Sequence, residues 1–198
     1  MSSRDKILNA LRAKPIASTE LPDLAHAWIR YDDPWTQFQT VLASVGGRFV
    51  RVQSLAEIPA TLAELPTFAD ATQIVSQISA VTGNVDLDSI ADPHELETVD
   101  WAILPAEFAV AENAALWVTD AALRQRVIYF LVQHLALVVS SDQIVHNLHE
   151  AYARLAVGAS SLGLFMSGPS KTADIEQSLV IGAHGPRSLT VFCVDADR

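Results

Sequence analysis

The sequence predicts an α/β protein: a single domain with a mixed or mostly parallel sheet held between helical layers. Three observations carry this reading. Short apolar runs bounded by turn residues recur along the chain, as strands buried on both faces do. Stretches with apolar residues at helical spacing alternate with them, which favours strand–helix–strand units. A chain of 198 residues, half hydrophobic and only 18% charged, can bury one substantial core. An N-terminal helix and an irregular connection over residues 1–33 precede an α/β domain over residues 34–198.

Ile7, Leu8 and Leu11 give residues 1–13 an amphipathic helical pattern with Ser2 or Ser3 as cap. Pro15, Pro22 and Pro34 argue against regular structure over residues 15–33, which reads as the most mobile part. Trp35, Phe38, Val41 and Leu42 predict a helix that stops at Gly46-Gly47, followed by a strand over 49–52. Ser54 and Glu57 have capping-box spacing for a helix ended by Pro66. Strands are predicted at 71–76 and 101–104, the latter stopping at Pro105. Residues 108–111 and 115–118 form a strand pair or bulged strand interrupted by Glu112-Asn113. Thr119-Asp120 can cap a helix over 123–133 that leads into a buried strand over 134–139. Ser140 and Gln143 then suggest a capped helix carrying Ile144, Val145, Leu148, Ala151, Tyr152 and Leu155 on one stripe. The last strands are predicted at 162–166 and 189–194.

The formal net charge of −10 supplies no field for a phosphate backbone, so nucleic acid is not an expected partner. No run reaches the roughly 20 apolar residues of a membrane span, and residues 1–14 carry charges where a signal peptide is apolar. A cytoplasmic protein with no membrane association is expected. Cys193 is the only cysteine. An iron–sulfur cluster needs about four, so no cofactor of the chain's own is expected and a redox centre would belong to a partner.

Two segments can carry chemistry. Gly168-Pro169-Ser170-Lys171-Thr172-Ala173-Asp174 follows an apolar run and reads as a turn opening a helix. Free backbone donors beside Ser170 and Thr172 would there suit a phosphate or carboxylate; a plain capped turn is the alternative. In Gly182-Ala183-His184-Gly185-Pro186-Arg187, His184 can exchange a proton near neutral pH and Arg187 can grip a carboxylate; here the alternative is a tight turn with exposed polar side chains. Glu112 is a carboxylate between apolar halves, able to act as base or nucleophile if desolvated and otherwise a solvent-facing residue. His146, His149 and Glu150 share a helical side, but no third protein ligand beyond such a cluster is suggested. The expectation is a solvated face and no metal.

Taken together, Gly168-Pro169-Ser170, Thr172, Asp174-Ile175, Gly182 and His184-Gly185-Pro186, followed by an apolar strand, resemble the C-terminal signature of lactate-utilisation (LUD) domain proteins of the LutC/YkgG group. The resemblance runs from about Trp101 to the end. Ala111-Glu112-Asn113-Ala114-Ala115-Leu116 resembles an upstream stretch of the family, with Asn113 and two alanines where Thr-Gly-Thr is usual. The resemblance implies a fold similar to the NagB/RpiA/CoA-transferase-like proteins. It also implies a cluster-free accessory or ligand-binding subunit that works with iron–sulfur subunits in oxidising L-lactate to pyruvate. It further implies a small anionic ligand held by Gly168, Pro169, Ser170, Thr172, Asp174, His184, Gly185 and Arg187. The alternative is a stand-alone enzyme or a sensor for a phosphorylated or CoA-linked small molecule, with Glu112 as the reactive carboxylate in the enzyme.

Overall fold

The computed structural model describes residues 2–14, 18–20, 22–23, 27–121, 123–156, 158, 160–172 and 179–196. Five strands form a wholly parallel sheet: β1 (Arg48–Val52), β2 (Ile74–Ser76), β3 (Trp101–Pro105), β6 (His134–Ser140) and β11 (Ser188–Val194), in the order β1-β11-β6-β3-β2. A second sheet, β7-β4-β5-β8, is built from β4 (Phe108–Val110), β5 (Ala115–Thr119), β7 (Ile144–Val145) and β8 (Gly163–Met166). Here β4 runs antiparallel to β5 and parallel to β7, while β8 is antiparallel to β5. β9 (Lys171–Thr172) and β10 (Val180–Ile181) make a two-stranded ladder.

The pleat explains the layering. On β6, Leu135, Leu137 and Val139 point into the main core, and Ala136 and Val138 into a smaller one. The smaller core is closed by Ile58 and Leu62 of α3 (Ile58–Ala63) and by Phe68 of α4 (Pro66–Ala69). The main core is closed by α2 (Pro34–Ser44), by Ile128 and Tyr129 of α5 (Ile128–Leu131), and by Ala109, Leu116 and Val118 of the second sheet. That sheet's outer residues, Phe108, Val110 and Ala115, pack under Ala151 of α6 (Leu148–Arg154). The α/β class is therefore as expected, with the small mixed sheet covering much of one face of the parallel one.

Local chemistry sets the boundaries. Asp33 Oδ1 accepts from the backbone N–H groups of Trp35 and Thr36 at 3.0 and 3.1 Å, with Pro34 in the first turn of α2. The helix over 123–133 is reduced to the four residues of α5. Asp120 Oδ1 is occupied by the N–H of Leu162 at 3.0 Å, and the Gln125 side chain donates to the Ile90 carbonyl at 2.9 Å, so no cap forms and the chain is held in a turn. Ser54 makes no side-chain cap; Glu57 instead accepts from the N–H of Gln53 at 3.2 Å. Ser140 and Gln143 form a turn, not a helix start, and Ile144 and Val145 pair as β7. The helix begins at Leu148, capped by Asn147 accepting from Glu150 N–H at 3.0 Å, and Tyr152 faces solvent.

The face carrying His146, His149 and Glu150 is only partly solvated, with His149 exposed and His146 and Glu150 half-buried. Residues 28–31 lie across it: Trp28 stacks on His149 with centroids 3.5 Å apart, and Arg30 pairs with Glu150 at 2.5 Å. Tyr31 N–H donates to His146 Nδ1 at 3.0 Å, and Asn147 donates to the Ile29 carbonyl at 2.9 Å. This part of the connection expected to be most mobile is thus strapped to α6. The helix α1 (Ser3–Arg12) is capped by Ser2, one of the two serines expected, in a capping box with Asp5; it buries no residue and leaves Ile7 and Leu11 exposed. No helix among the described residues is long and apolar enough to cross a membrane.

Removing the stacking ring should loosen the strap without unfolding the core. In Trp28→Ala we expect the amide of Tyr31 to exchange markedly faster by hydrogen–deuterium exchange, and the amides of β6 to be unchanged. A loss of about 0.5–1.5 kcal/mol, typical of an aromatic pair, is expected for the strap alone.

Candidate functional site

The two signature loops meet at the edge of the parallel sheet where β6 and β11 begin. Ser170 N–H donates to the Pro186 carbonyl at 2.9 Å, Gly182 N–H to the Ser170 carbonyl at 3.0 Å, and Arg187 N–H to the Gln133 carbonyl at 2.8 Å. Gly168 has φ +74, and a Cβ there would lie 2.8 Å from the Val45 carbonyl oxygen. A side chain at this position would be strained twice over, by conformation and by contact. Pro169 is buried beside Gly46, and Lys171 Nζ donates to the Val45 carbonyl.

Gly168, Pro169, Ser170, Thr172, Gly185 and Arg187 therefore belong to one cluster, with His184 exposed in the same loop. The helix expected to open at Ser170 does not form there: Lys171 and Thr172 pair with Ile181 and Val180 as a strand. The Ser170 amide is already spent on Pro186 and is not open to an anion. Asp174 falls outside the described residues. Glu112 lies elsewhere, in the turn from β4 to β5, where its exposed carboxylate accepts from Leu148 N–H at the start of α6 at 2.9 Å. Ala114 takes a left-handed φ of 53°, which costs about 1–2 kcal/mol for an L-residue, partly offset by complete burial of its methyl group.

Beside the signature loops the sheet register assembles residues that sequence reading passed over. Ser188, His134 and Trp101 are the first residues of three adjacent parallel strands and are paired in register, as Arg48 is with Thr190. Paired residues point to one face, and here they line a pocket of 230 Å³ with Gly46, Gly47, Leu65 and Thr67. His134 Nδ1 lies 2.8 Å from Ser188 Oγ, and its ring stacks on Trp101 at 5.1 Å. The Trp101 indole N–H is held by the Thr67 carbonyl at 3.0 Å. Burial, reinforced by the Arg187 charge and opposed by Asp100, holds the His134 pKa below its ordinary value, so the imidazole is neutral at pH 7. The Arg48 side chain makes no ion pair or hydrogen bond among the described residues. The only hint in the sequence is the polar residue opening the runs at His134 and Ser188, which by itself also fits an ordinary strand end.

A larger cleft of 520 Å³ lies at the opposite, carboxyl edge, where Ser54, Pro105, Ser140 and Asp195 are among its lining residues. Open parallel sheets commonly bind ligands at that edge. Its charged lining group, Asp195, is a carboxylate paired with Arg51 at 2.7 Å, whereas Arg48, Lys171 and Arg187 gather at the amino edge. For an anion, electrostatics favours the amino edge.

A parallel five-stranded sheet, backed by a small mixed sheet and closed at its amino edge by two Gly/Pro-punctuated loops, defines the structural class. The LUD domain matches residues 55–194, and the chain belongs to the LUD domain family. It is similar to a protein named Lactate utilization protein C from Deinococcus radiodurans, 28% identical over 166 residues, which covers 80% of this chain and 78% of that protein. A Lactate utilization protein C from Geobacillus thermodenitrificans is 30% identical over 109 residues, 52% of this chain and 45% of the relative. The chain spans about half the length or less of several such relatives. The crystal structure of a DUF162 family protein from Deinococcus radiodurans shares the fold, with a TM-score of 0.62 at 20% identity over 81% of this chain and 96% of that one.

Two outcomes follow from the site's electrostatics. A histidine whose folded pKa lies below its unfolded value takes up fewer protons folded than unfolded, so its contribution is present above about pH 6.5 and is lost as pH falls toward the folded value. We expect the unfolding free energy to decline from pH 7 to 5, and His134→Asn to make that decline shallower in urea titrations. Burial raises the Cys193 thiol to about 11, so a maleimide at pH 8 should leave the native protein unlabelled and react only after denaturation.

Proposed function

We propose that this chain is a cluster-free subunit of a lactate-utilisation system, of LutC type, that binds a small anionic ligand while iron–sulfur partner subunits carry electrons from L-lactate to the acceptor, leaving pyruvate. The observation that carries the reading is family membership over most of the chain, joined to relatives named for lactate utilization. The cysteine chemistry supports it: one thiol, fully buried in β11, is not available to a cluster. The convergence of Gly168–Thr172 with the loop 182–187 supports the anion-binding part, through the cations gathered there and not through a helix terminus.

On this reading the domain over 34–198 carries the ligand site, and the strapped segment before it belongs to the surface offered to partners. The binding roles of Ser170, Thr172, His184 and Arg187 remain with the proposal, Asp174 included. Glu112 is assigned the capping of α6 and no step of chemistry.

The test is made in the native cell. Deleting the gene should abolish growth on L-lactate and leave growth on pyruvate unchanged, and affinity purification should recover iron–sulfur proteins. The purified chain alone should not reduce an artificial acceptor with lactate; robust turnover by metal-free protein, or normal growth of the deletion strain on L-lactate, would overturn the reading.

A further inference from the structure

We propose that the pocket at the amino ends of β1, β11, β6 and β3 is a binding site for a small 2-hydroxy or 2-oxo carboxylate, with Arg48 holding the carboxylate and the His134–Ser188 pair holding the oxygen on the adjacent carbon. The ligand class rests on the lactate-utilisation reading; the site rests on the geometry.

Four features converge. Arg48 is a guanidinium without a partner among the described residues, on a strand whose neighbour offers Thr190 in register, and its planar fork matches a carboxylate with two parallel hydrogen bonds. Ser188 and His134, already 2.8 Å apart, present a hydroxyl and a neutral imidazole that both donate and accept, so the pair can bind either an alcohol or a carbonyl oxygen. Trp101 and Leu65 give the wall an apolar surface for the remaining carbons. The volume of 230 Å³ lies below the range of about 300–1,000 Å³ usual for drug-sized ligands and suits an acid of a few carbons.

The sheet fixes this constellation. Ser188, His134 and Trp101 occupy paired positions on three hydrogen-bonded strands, so their side chains are held on one face without depending on loop conformation. The signature loops buttress it from outside: Arg187 N–H is bonded to the Gln133 carbonyl, one residue before His134, and the Lys171 ammonium closes on the Val45 carbonyl beside Gly46 and Gly47. The conspicuous motif thereby frames this pocket from outside, and Arg48, His134 and Ser188 add ligand contacts to those proposed for the motif.

The experiment measures binding of sodium L-lactate, sodium pyruvate and inorganic phosphate to the purified full chain by calorimetry and by the ring-proton resonances of His134. Pyruvate or lactate should bind and shift those resonances. Arg48→Gln should weaken binding by at least about 10-fold, the effect of losing charge-assisted hydrogen bonds. Arg48→Lys should retain part of the affinity, and Ser188→Ala should weaken it by about 3- to 10-fold. Arg48 is exposed, so its variants should keep the wild-type denaturation midpoint. Unchanged affinity in both Arg48→Gln and Ser188→Ala, absence of binding by either acid, or tighter binding of phosphate than of both acids would overturn the assignment. Growth separates the two readings. A deletion strain that cannot use L-lactate, together with a chain that binds neither acid, refutes the pocket alone. Normal growth on L-lactate with Arg48-dependent pyruvate binding refutes the lactate-utilisation reading alone.

Discussion

Strand β6 lies between β11 and β3, hydrogen-bonded in parallel register to both, and most of the molecule is organised by that pairing. Its alternate side chains supply two cores at once, Leu135, Leu137 and Val139 to one and Ala136 and Val138 to the other. The small Ala136 lets the smaller core close on the large rings of Trp101 and Phe192. A register slip of one residue would exchange these faces, placing His134 on the side of the main core. The same pairing that buries the leucines brings His134 to Ser188 and Trp101, so core packing and site geometry have a common cause.

The amino edge is held by polar contacts that the parallel sheet leaves exposed. Asp100, just before β3, accepts from the backbone N–H groups of Gln73 and Thr72 and from the Thr72 hydroxyl, tying β2 to its neighbour. These hydrogen bonds, led by that from Gln73, hold its carboxyl below the usual carboxylate range. Asp100 also gives its carbonyl to the His134 N–H at 2.9 Å. The pocket therefore has an anchored acidic neighbour on one side and on the other Arg48, whose side chain has no ion pair or hydrogen bond among the described residues, an asymmetry that orients an anion toward Arg48.

The second sheet and α6 form a layer with its own fastening. Phe108, Trp117 and Phe165 pack against one another on the outer face, and Arg154 sits 5.5 Å over the Phe108 ring. Residues 28–31 add a stacked ring, an ion pair and two hydrogen bonds across the start of α6. Glu112 reaches the same helix start from below. The histidines of this face are thus engaged by the strap, His149 through the Trp28 ring and His146 through the Tyr31 N–H.

The sequence by itself determined the elements whose burial leaves a local mark. β3 and β6 are legible as apolar runs and β11 as a run broken only by Thr190; α2 is legible from the spacing of Trp35, Phe38, Val41 and Leu42. The single cysteine and the acidic charge are also properties of the chain alone. The tertiary structure decided the rest, wherever one local signal fitted two partners. Ile144 and Val145 fit a helical stripe as well as a strand, and only β4 beside them settled the matter. Ser170 to Thr172 fit a capped helix as well as a ladder, and Val180 and Ile181 chose. The strap was hidden because the bonds of residues 28–31 reach more than 100 positions along the chain. The pocket was hidden for a related reason: a serine, a histidine and an arginine opening three separate strands become neighbours only through strand order and register, which are set by non-local packing and leave no spacing to read.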